Sequence, residues 1–495
     1  MSALPATDAS LRRCRGTWSC FVAASFLYLL LPQAALHGTD WRWLVLWTEE
    51  PGAVHPQHPG YLALAKLACA LLAPLQLPTT TVLTWLSALG GAAAVAGCHR
   101  AAWWWRQDQH KAHAAAMLVA VTPAMLHFST VIEMHAVFAA VMAFALLLGV
   151  RWARCGGLRV AAGTGALTGA ATLVHATGQL LVPALCLAVV VARRDRGWRR
   201  VLGEAAAMAG AHALVWGAGY AALRGIGHLP ASVAGFGGAG ADPAAASNPV
   251  AYLWRWFAGL DLLHTFGPTV WREWLQSYAP FSLLALMAVG VRRLRVAAVL
   301  FAVVLLGYLG VTVVLVHAIT DERGAYLLPL ALPAVLLAQE LVPRRAWPVL
   351  VLVAIACGGL LRGEPGRLPP DHAFGRAAAR YAQQHPVVFF VADYPQMDGA
   401  HFADAHLELI VARKELADLA ASSPVEPTAE QIAAWLSLKR AEAAAAGRQL
   451  VVPSETLRWL GERQPAFAAG WQQFGRAALV VPLDPSTGLD GYLVL

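Results

Sequence analysis

Charged residues are scarce in this chain. Asp, Glu, Lys and Arg make up only 13% of its 495 residues, whereas a soluble protein carries roughly 25%. Hydrophobic residues account for 58% of the chain, and the mean hydropathy is +0.54. These values exclude an ordinary soluble domain and predict a polytopic membrane protein whose main surroundings are the lipid bilayer.

Several familiar motifs are also missing. The seven cysteines have no paired metal-ligand spacing, and none lies beyond Cys357, which predicts free thiols. There is no Walker loop, and the glycine-rich stretch 235–240 follows no strand, so it is interpreted as a linker. An ATP-driven pump is therefore disfavoured. The net charge of +8 does not indicate a nucleic-acid partner, because the basic residues cluster between apolar segments as topology signals do.

Long apolar segments are what the chain has in abundance. A window of ~20 residues, the length that crosses a bilayer, finds about eleven of them. The first follows Arg12, Arg13 and Arg15 and is interpreted as an uncleaved helix. The predicted spans are centred on 17–36, 80–98, 112–128, 134–151, 158–174, 178–194, 202–223, 279–292, 296–317, 325–342 and 346–361.

The basic residues give an independent indication of orientation. With the N-terminus in the cytoplasm, most arginines of the first 362 residues fall on the cytoplasmic connections, as the positive-inside rule requires. Only six basic residues fall on the opposite connections: Arg42, Lys66, Arg224, Arg255, Arg272 and Arg323. This asymmetry predicts a membrane protein with one orientation throughout.

Two polar loops are predicted on the outer face, at 37–79 and 224–278. Within the first, residues 61–75 are apolar enough to span, but a span there would reverse the orientation of everything that follows. The segment is therefore predicted to lie in the outer interface as a helix, with Lys66 snorkelling to water. The second loop carries tryptophans beside Arg255 and Arg272, which is typical of interfacial segments.

The composition changes after residue 362, so a membrane domain is predicted over 1–362 and a separate domain over 363–495. Strands are predicted at 387–392, 449–452 and 478–481, with a helix at 428–445. Eleven preceding spans would make this small α/β domain extracytoplasmic. Its acidic and histidine residues between 393 and 406 have irregular spacing and are interpreted as a solvated loop. The predicted fold class is thus an all-α polytopic membrane bundle with a small extracytoplasmic α/β C-terminal domain.

Three outer-face motifs carry a family resemblance. Asp40 follows the first span, and the sequence His-Pro-Gly-Tyr at 58–61 opens the interfacial helix. A Glu-containing turn at 129–136 joins the third and fourth spans, and Arg-Gly-Ala-Tyr-Leu-Leu-Pro-Leu occupies 323–330. Together these motifs resemble the GT-C superfamily of membrane glycosyltransferases, and most of all the bacterial relatives of protein O-mannosyltransferases. The resemblance covers about residues 17–340 and implies a GT-C type bundle.

The resemblance implies the transfer of a sugar from a polyprenyl-phosphate donor to a glycan, lipid or protein acceptor. Inverting transfer needs a base, and Asp40 is the candidate for that role; the alternative is that it caps a helix starting at Trp41. Relatives carry a second acidic residue three positions later, where this chain has Trp43. Glu49 and Glu50 are the candidates to replace it.

A guanidinium at interface depth suits the phosphate of the donor. Arg323 is the first candidate, with an ion pair to Asp321 or Glu322 as the alternative, and Tyr326 accompanies it in the same motif. Arg255 and Arg272 are the next candidates, or else interface anchors.

The remaining candidates for substrate binding are polar groups in apolar surroundings. They are Glu133, His135, His55, His58 and Tyr61. The His-Pro motif can be aligned through either His55 or His58, and these two could hold a divalent metal with a carboxylate; turn formation is the alternative, and no metal ligands are assigned. His175 is interpreted as a structural histidine.

Two other function classes remain open from the sequence. A secondary transporter would have internal repeats and charges near the bilayer midplane, whereas the titratable groups of this chain cluster at one face. A non-catalytic membrane scaffold would explain Trp43 in the position of the second acid.

Overall fold

The computed structural model describes most of the chain. The described residues are 6–31, 40–55, 58–193, 197–228, 343–362, 371–413, 427–475 and 478–494, with 328, 334, 415 and 416. The chain divides into two compact units, Met1–Pro365 and Gly366–Leu495. Each unit is considered by itself, and helices and strands are numbered over the described residues.

The described elements of the first unit are helices, apart from one isolated bridge between Ala53 and His228. Short 3-10 helices follow α3 at Ala73–Leu75, precede α9 at Ala176–Leu180 and precede α11 at Arg344–Ala346. The α-helices are α1 Ala6–Leu30, α2 Asp40–Glu49, α3 Pro59–Leu72, α4 Thr79–Arg106, α5 Gln109–Val121, α6 Pro123–Phe128, α7 His135–Cys155, α8 Leu158–Val174, α9 Leu181–Arg193, α10 Trp198–Ile226 and α11 Trp347–Arg362.

Four helical segments of the described chain are long and apolar enough to cross a membrane. They are Thr79–Arg106, His135–Cys155, Ala176–Arg193 and Trp198–Ile226. The predicted spans centred on 279–292, 296–317 and 325–342 lie outside the described residues, apart from positions 328 and 334. A mostly helical membrane protein is therefore confirmed, and the count of eleven spans stays a prediction.

Small residues let the long helices approach closely. A Cβ at Gly90 of α4 would lie 2.9 Å from the backbone nitrogen of Val137 in α7, and one at Gly97 would lie 2.7 Å from the Cβ of Ala143. Glycine at these positions brings two backbones together, which is the usual way that membrane helices gain packing energy without a hydrophobic driving force. The pair α4 and α7 thereby forms a rigid base for the residues that precede α7.

One predicted span is interrupted at a polar residue, and another ends, as predicted, just before one. The span near 112–128 breaks between Thr122 and Pro123, because proline disfavours helical backbone at the residue before it; Thr122 has ψ 131°. The span near 158–174 ends at His175, which is extended at φ −150° and ψ 126°. The turn 129–134 and His175 therefore lie outside regular helix, and their side chains can face each other.

The opposite end of the bundle is held by the buried carboxylate of Glu204 in α10, which is 1% exposed. It accepts hydrogen bonds from Trp152 Nε1 at 2.8 Å and from the backbone nitrogen of Gly157 at 2.9 Å. It also pairs with Arg193 at 3.7 Å and Arg200 at 3.3 Å. One carboxylate thus joins α7, the turn before α8, α9 and α10.

The second unit is a five-stranded mixed sheet with helices on both faces. The strand order is β2-β1-β3-β5-β4; β1 is parallel to β2 and β3, and β5 is antiparallel to β3 and β4. In chain order the elements are α12 His372–Gln384, β1 Val387–Val391, α13 Tyr394–Ala403, β2 Leu409–Val411, α14 Ala429–Ala445, β3 Gln449–Pro453, α15 Ser454–Arg463, α16 Pro465–Phe474, β4 Ala478–Asp484 and β5 Leu489–Val494.

The predicted strands and helix of this unit are confirmed, with two additions. The strand β2 is only three residues long, and β5 includes Asp490 and Gly491, so neither has the continuous apolar run of β1. The helix predicted at 428–445 begins after Thr428, which forms a capping box with Gln431.

One prediction in this unit is wrong. The residues 393–406 were expected to form a solvated loop, but most of the segment is helix α13. Asp398 and His401 are only 2% and 5% exposed, and His401 Nε2 bonds the backbone carbonyl of Leu407 at 3.2 Å. Irregular spacing in sequence concealed one buried helical face, since residues three apart on a helix are neighbours.

Candidate active site

Four histidines stack in one column within the first unit. The ring centroids of His55 and His58 are 4.8 Å apart with nearly parallel planes at 7°. His58 lies 4.7 Å from His175, which in turn lies 5.2 Å from His135. Trp47 of α2 extends the stack at 4.7 Å from His55. We call His55, His58, His175 and His135 the histidine column.

Three separate parts of the chain build this column. His55 and His58 lie in the loop before α3, where the His58 backbone nitrogen donates to His55 Nδ1 at 3.2 Å. His175 lies at the break after α8, and His135 is the first residue of α7. The column therefore depends on how α3, α7 and α8 pack together.

A buried carboxylate lies beside the column. Glu133, 2% exposed, is in the turn before α7, and its Oε2 is 3.9 Å from His135 Nε2. The backbone nitrogen of Met134 donates to the same oxygen at 3.2 Å, and Ser87 Oγ of α4 donates to the Glu133 carbonyl at 3.1 Å. Because burying a carboxylate is costly, these contacts mark Glu133 as a functional candidate.

Two polar atoms beside Glu133 and the column have no hydrogen-bond partner in the part of the chain that the structure describes. They are the hydroxyl of Tyr61 and Nδ1 of His58, both fully buried. Burial and the nearby charge of Glu133 raise the pKa of Tyr61, so this hydroxyl is a neutral donor. Buried polar atoms of this kind cost free energy unless something pairs with them, which makes them candidate ligand contacts.

Three histidines of the column, His55, His58 and His175, have a depressed pKa and are neutral at physiological pH. Burial lowers the pKa of His55 to about 4. Burial, together with repulsion between neighbouring imidazoles, also holds the pKa of His58 and of His175 well below the ordinary histidine value. The column thus offers neutral rings that can stack on or hydrogen-bond to a polar substrate.

This arrangement predicts a loss of stability in mild acid. The folded-state pKa values are depressed, so between about pH 6.5 and pH 4 the unfolded chain binds more protons than the folded one. Stability is therefore fully present above about pH 6.5 and declines as pH falls, with a slope of up to about 1.4 kcal/mol per pH unit for each histidine. The decline is measured by thermal unfolding of the detergent-solubilised protein at a series of pH values between about 6.5 and 4.

Replacement of His55 by phenylalanine tests whether the buried histidines cause this loss of stability in acid. His55→Phe keeps a stacked ring but removes one titrating group, so the decline should become shallower, whereas His110→Gln, at an exposed position on α5, should leave it unchanged. A native chain with equal stability at neutral pH and at about pH 5 would contradict the prediction.

Lys66 has a different environment from the one predicted. Instead of snorkelling freely to water, its Nζ donates to the backbone carbonyls of Trp47 at 2.7 Å and Thr48 at 3.1 Å, and to that of Glu50. These are the last carbonyls of α2, which have no intrahelical donor. Lys66 therefore caps α2 from α3 and holds the two outer-loop helices together.

Loss of this cap should destabilise the protein. Lys66→Met keeps the aliphatic stem but removes the donor to three carbonyls, so we expect unfolding to become easier by about 1–3 kcal/mol. The control is Arg199→Met, which removes an exposed cation lying over Trp198 and should cost less than about 1 kcal/mol. Equal melting temperatures for the two variants would show that Lys66 is not a stabilising cap.

Two consecutive glutamates, Glu49 and Glu50, lie at the C-terminal end of α2. Glu50 Oε1 pairs with His228 Nε2 at 2.8 Å, and both side chains are exposed. The backbones also meet, since Val54 donates to the His228 carbonyl at 2.8 Å. Glu49 is exposed at the end of α2. Glu50 thus ties the first outer loop to the end of α10.

The other predicted site residues cannot be located. Asp40 is the first residue of α2, but its side chain lies outside the described residues. Arg323, Tyr326, Arg255 and Arg272 also lie outside them. Their roles stay predictions.

The column itself does not suit a metal ion. Its rings stack with their planes 7° to 43° apart, whereas metal ligands direct their lone pairs at one point. Among the described residues, no group of three ligand atoms converges there. No metal is therefore assigned to this site.

His175 was interpreted as a hydrogen-bonded structural histidine, and its Nδ1 does bond Thr177 Oγ1 at 2.7 Å; its place in the column was not foreseen. It contacts His58, His135 and Phe138 and so connects the His-Pro motif to the Glu133 turn. The available signal was its position at the end of an apolar span, since a polar residue at such a break faces protein or a cavity.

Two solved structures have a similar fold. ArnT from Cupriavidus metallidurans bound to undecaprenyl phosphate matches with a TM-score of 0.56 and 13% identity, over 99% of this chain and 99% of that one. The apo oligosaccharyltransferase of Archaeoglobus fulgidus matches with a TM-score of 0.51 and 12% identity, over 98% and 74%. Neither the protein-family models nor the curated proteins give a match.

At this low identity the likeness shows the fold alone, and at that level it confirms the fold that the predicted resemblance implies. The fold and the apolar helices together identify a membrane protein. The narrower resemblance to protein O-mannosyltransferases stays a prediction.

Proposed function

We propose that this protein is an inverting glycosyltransferase of the bacterial inner membrane. It moves a hexosyl or pentosyl group from a polyprenyl-phosphate donor to an acceptor hydroxyl on the outer face. The N-terminus is cytoplasmic and the domain over 363–495 extracytoplasmic. The observation that carries the proposal is the fold shared, over nearly the whole of both chains, with a protein that binds undecaprenyl phosphate.

The chemistry follows from the proposed residues. The acceptor oxygen attacks the anomeric carbon, the bond from that carbon to the phosphate oxygen breaks, and polyprenyl phosphate leaves. Asp40 takes the acceptor proton as general base. Arg323 pairs with the leaving phosphate through its planar guanidinium, with Tyr326 beside it, and Arg255 and Arg272 are alternative phosphate ligands.

The described site supports a role in holding the sugar or the acceptor. Glu133 is buried beside Tyr61, whose hydroxyl has no partner among the described residues, and beside His135. Carboxylate, phenol and imidazole are groups that bind sugar hydroxyls. We assign Glu133, His135, His58, His55 and Tyr61 to substrate binding.

A transfer assay tests the proposal. The purified protein in proteoliposomes is given a panel of labelled polyprenyl-phosphate sugars, with membrane extract as the acceptor source. The label that leaves the donor and enters the acceptor is measured. The proposal expects transfer from one donor class, with inversion at the anomeric carbon and release of polyprenyl phosphate. Transport of the intact donor across the bilayer without release would instead indicate a transporter.

A further inference from the structure

A second cluster of titratable side chains is formed by residues that do not belong to the histidine column. Cys20 of α1, His99 of α4 and His113 of α5 each offer one ligand atom, and these atoms all lie within 4.8 Å of one another. The cluster is at the end of the bundle where the basic residues predict the cytoplasm. It takes no part in the proposed transfer.

The chemistry of the three side chains suits one ion. A thiolate and two imidazoles are the ligands that zinc prefers, and tetrahedral zinc holds them about 3.5 Å apart through bonds of about 2.0–2.3 Å. The observed separations are at most 4.8 Å, and ordinary side-chain rotation can bring such atoms to the ligating distance. Cys20 and His113 are half-buried and His99 is fully buried, so the site is screened from bulk water.

Hydrogen bonds hold both rings in the orientation that ligation requires. His113 Nδ1 donates to the Gln109 carbonyl at 2.8 Å, which leaves the Nε2 lone pair available. Gln109 Nε2 lies 3.3 Å from His99 Nε2 and can only donate, so His99 Nδ1 carries the proton and donates to Thr17 Oγ1 at 3.1 Å. Zinc-ligating histidines bond a protein oxygen in this way through the second ring nitrogen.

Close packing of α1 makes this geometry possible. A Cβ on Gly16 would lie 3.2 Å from the His99 ring and would overlap the Gln109 amide. The glycine thus lets the middle of α1 approach the C-terminal part of α4 and the start of α5.

We propose that Cys20, His99 and His113 bind a Zn²⁺ ion that joins α1, α4 and α5, with water as the fourth ligand. On binding, the thiol releases its proton and zinc replaces the Gln109 amide at His99 Nε2. The ion is a structural link at the proposed cytoplasmic end of the bundle. The inference is independent of the proposed transferase function.

Cobalt spectroscopy on the full-length protein tests the site. Metal-free protein in detergent is titrated with Co²⁺, and the native chain should bind about one ion with a thiolate-to-cobalt charge-transfer band and tetrahedral visible bands, which Zn²⁺ then removes. Cys20→Ser should lose the thiolate band, whereas Cys155→Ser, which changes an exposed cysteine, should keep it. His113→Gln should weaken binding at least ~10-fold, and the control His110→Gln should not.

The measurement on the native protein is by itself enough to overturn the proposal. The test therefore still decides if one of the variants fails to fold. Absence of the thiolate band from the native protein would overturn it, and so would a band of equal strength in Cys20→Ser. Zinc should also raise the thermal midpoint of the native protein and slow alkylation of Cys20. Sugar transfer is not part of the readout, so this result is separate from the transferase test.

Discussion

Asp40→Asn should reduce sugar transfer by about 10²–10⁴-fold, the range expected for loss of a general base. The substitution separates the two roles open to this residue. Asn caps a helix about as well as Asp does, so a residue that only opens α2 would tolerate the change. A base would not, because the amide cannot accept the acceptor proton. The turnover rate with saturating polyprenyl-phosphate sugar is the measurement.

Asp108→Asn is the matched control. Asp108 caps α5 by accepting from the backbone nitrogens of His110 at 2.9 Å and Lys111 at 3.2 Å. The same chemical change at this cap should leave transfer unaltered. Both variants should also melt close to the native protein. Normal transfer by Asp40→Asn would exclude the base role, while Asp40→Ala would then reveal a cap through a loss of about 1 kcal/mol in stability.

Glu204→Ala should produce the largest loss of stability among these variants, about 3–5 kcal/mol. The substitution leaves the buried Arg193, 6% exposed, without its counter-ion. It also removes the acceptor for Trp152 Nε1 and for the backbone nitrogen of Gly157. The midpoint of thermal or denaturant unfolding in detergent measures the effect.

Arg200→Ala provides the contrast within the same network. Arg200 pairs with Glu204 at 3.3 Å but is 67% exposed, so water replaces its contact and the cost should stay below about 1 kcal/mol. Glu204→Gln should fall between the two, because the amide oxygen can still accept one hydrogen bond. A Glu204→Ala protein as stable as Arg200→Ala would refute the view that this carboxylate joins the helices.

Local patterns in the sequence were enough to predict many elements. Apolar runs predicted helices at several positions where the structure has them. The run Val-Val-Phe-Phe-Val predicted β1, because a strand that is buried on both faces requires continuous apolar residues. The short β2 and the break at Thr122 and Pro123 were missed. Three residues carry little periodicity, and a single proline does not reveal by itself whether a helix bends or stops.

The candidate site could be predicted only in parts. Glu133, His135 and the His-Pro motif were identified from motif resemblance and from their polarity in apolar surroundings. Their stacking on His175 was not foreseen, nor was the bonding of Lys66 to the end of α2. These contacts join residues far apart in sequence, and no local pattern encodes which helices pack side by side.

By itself, the sequence determined that this is a membrane protein with one predicted orientation, a separate α/β unit and a polar outer loop after the first span. Hydrophobicity and charge act residue by residue along the chain, so composition and spacing suffice for these features. Only the tertiary structure decided that His55, His58, His135 and His175 form one column and that Cys20, His99 and His113 converge. These side chains come together only because the helices pack closely. That packing depends on contacts between small residues of different helices, which no single segment of the sequence specifies.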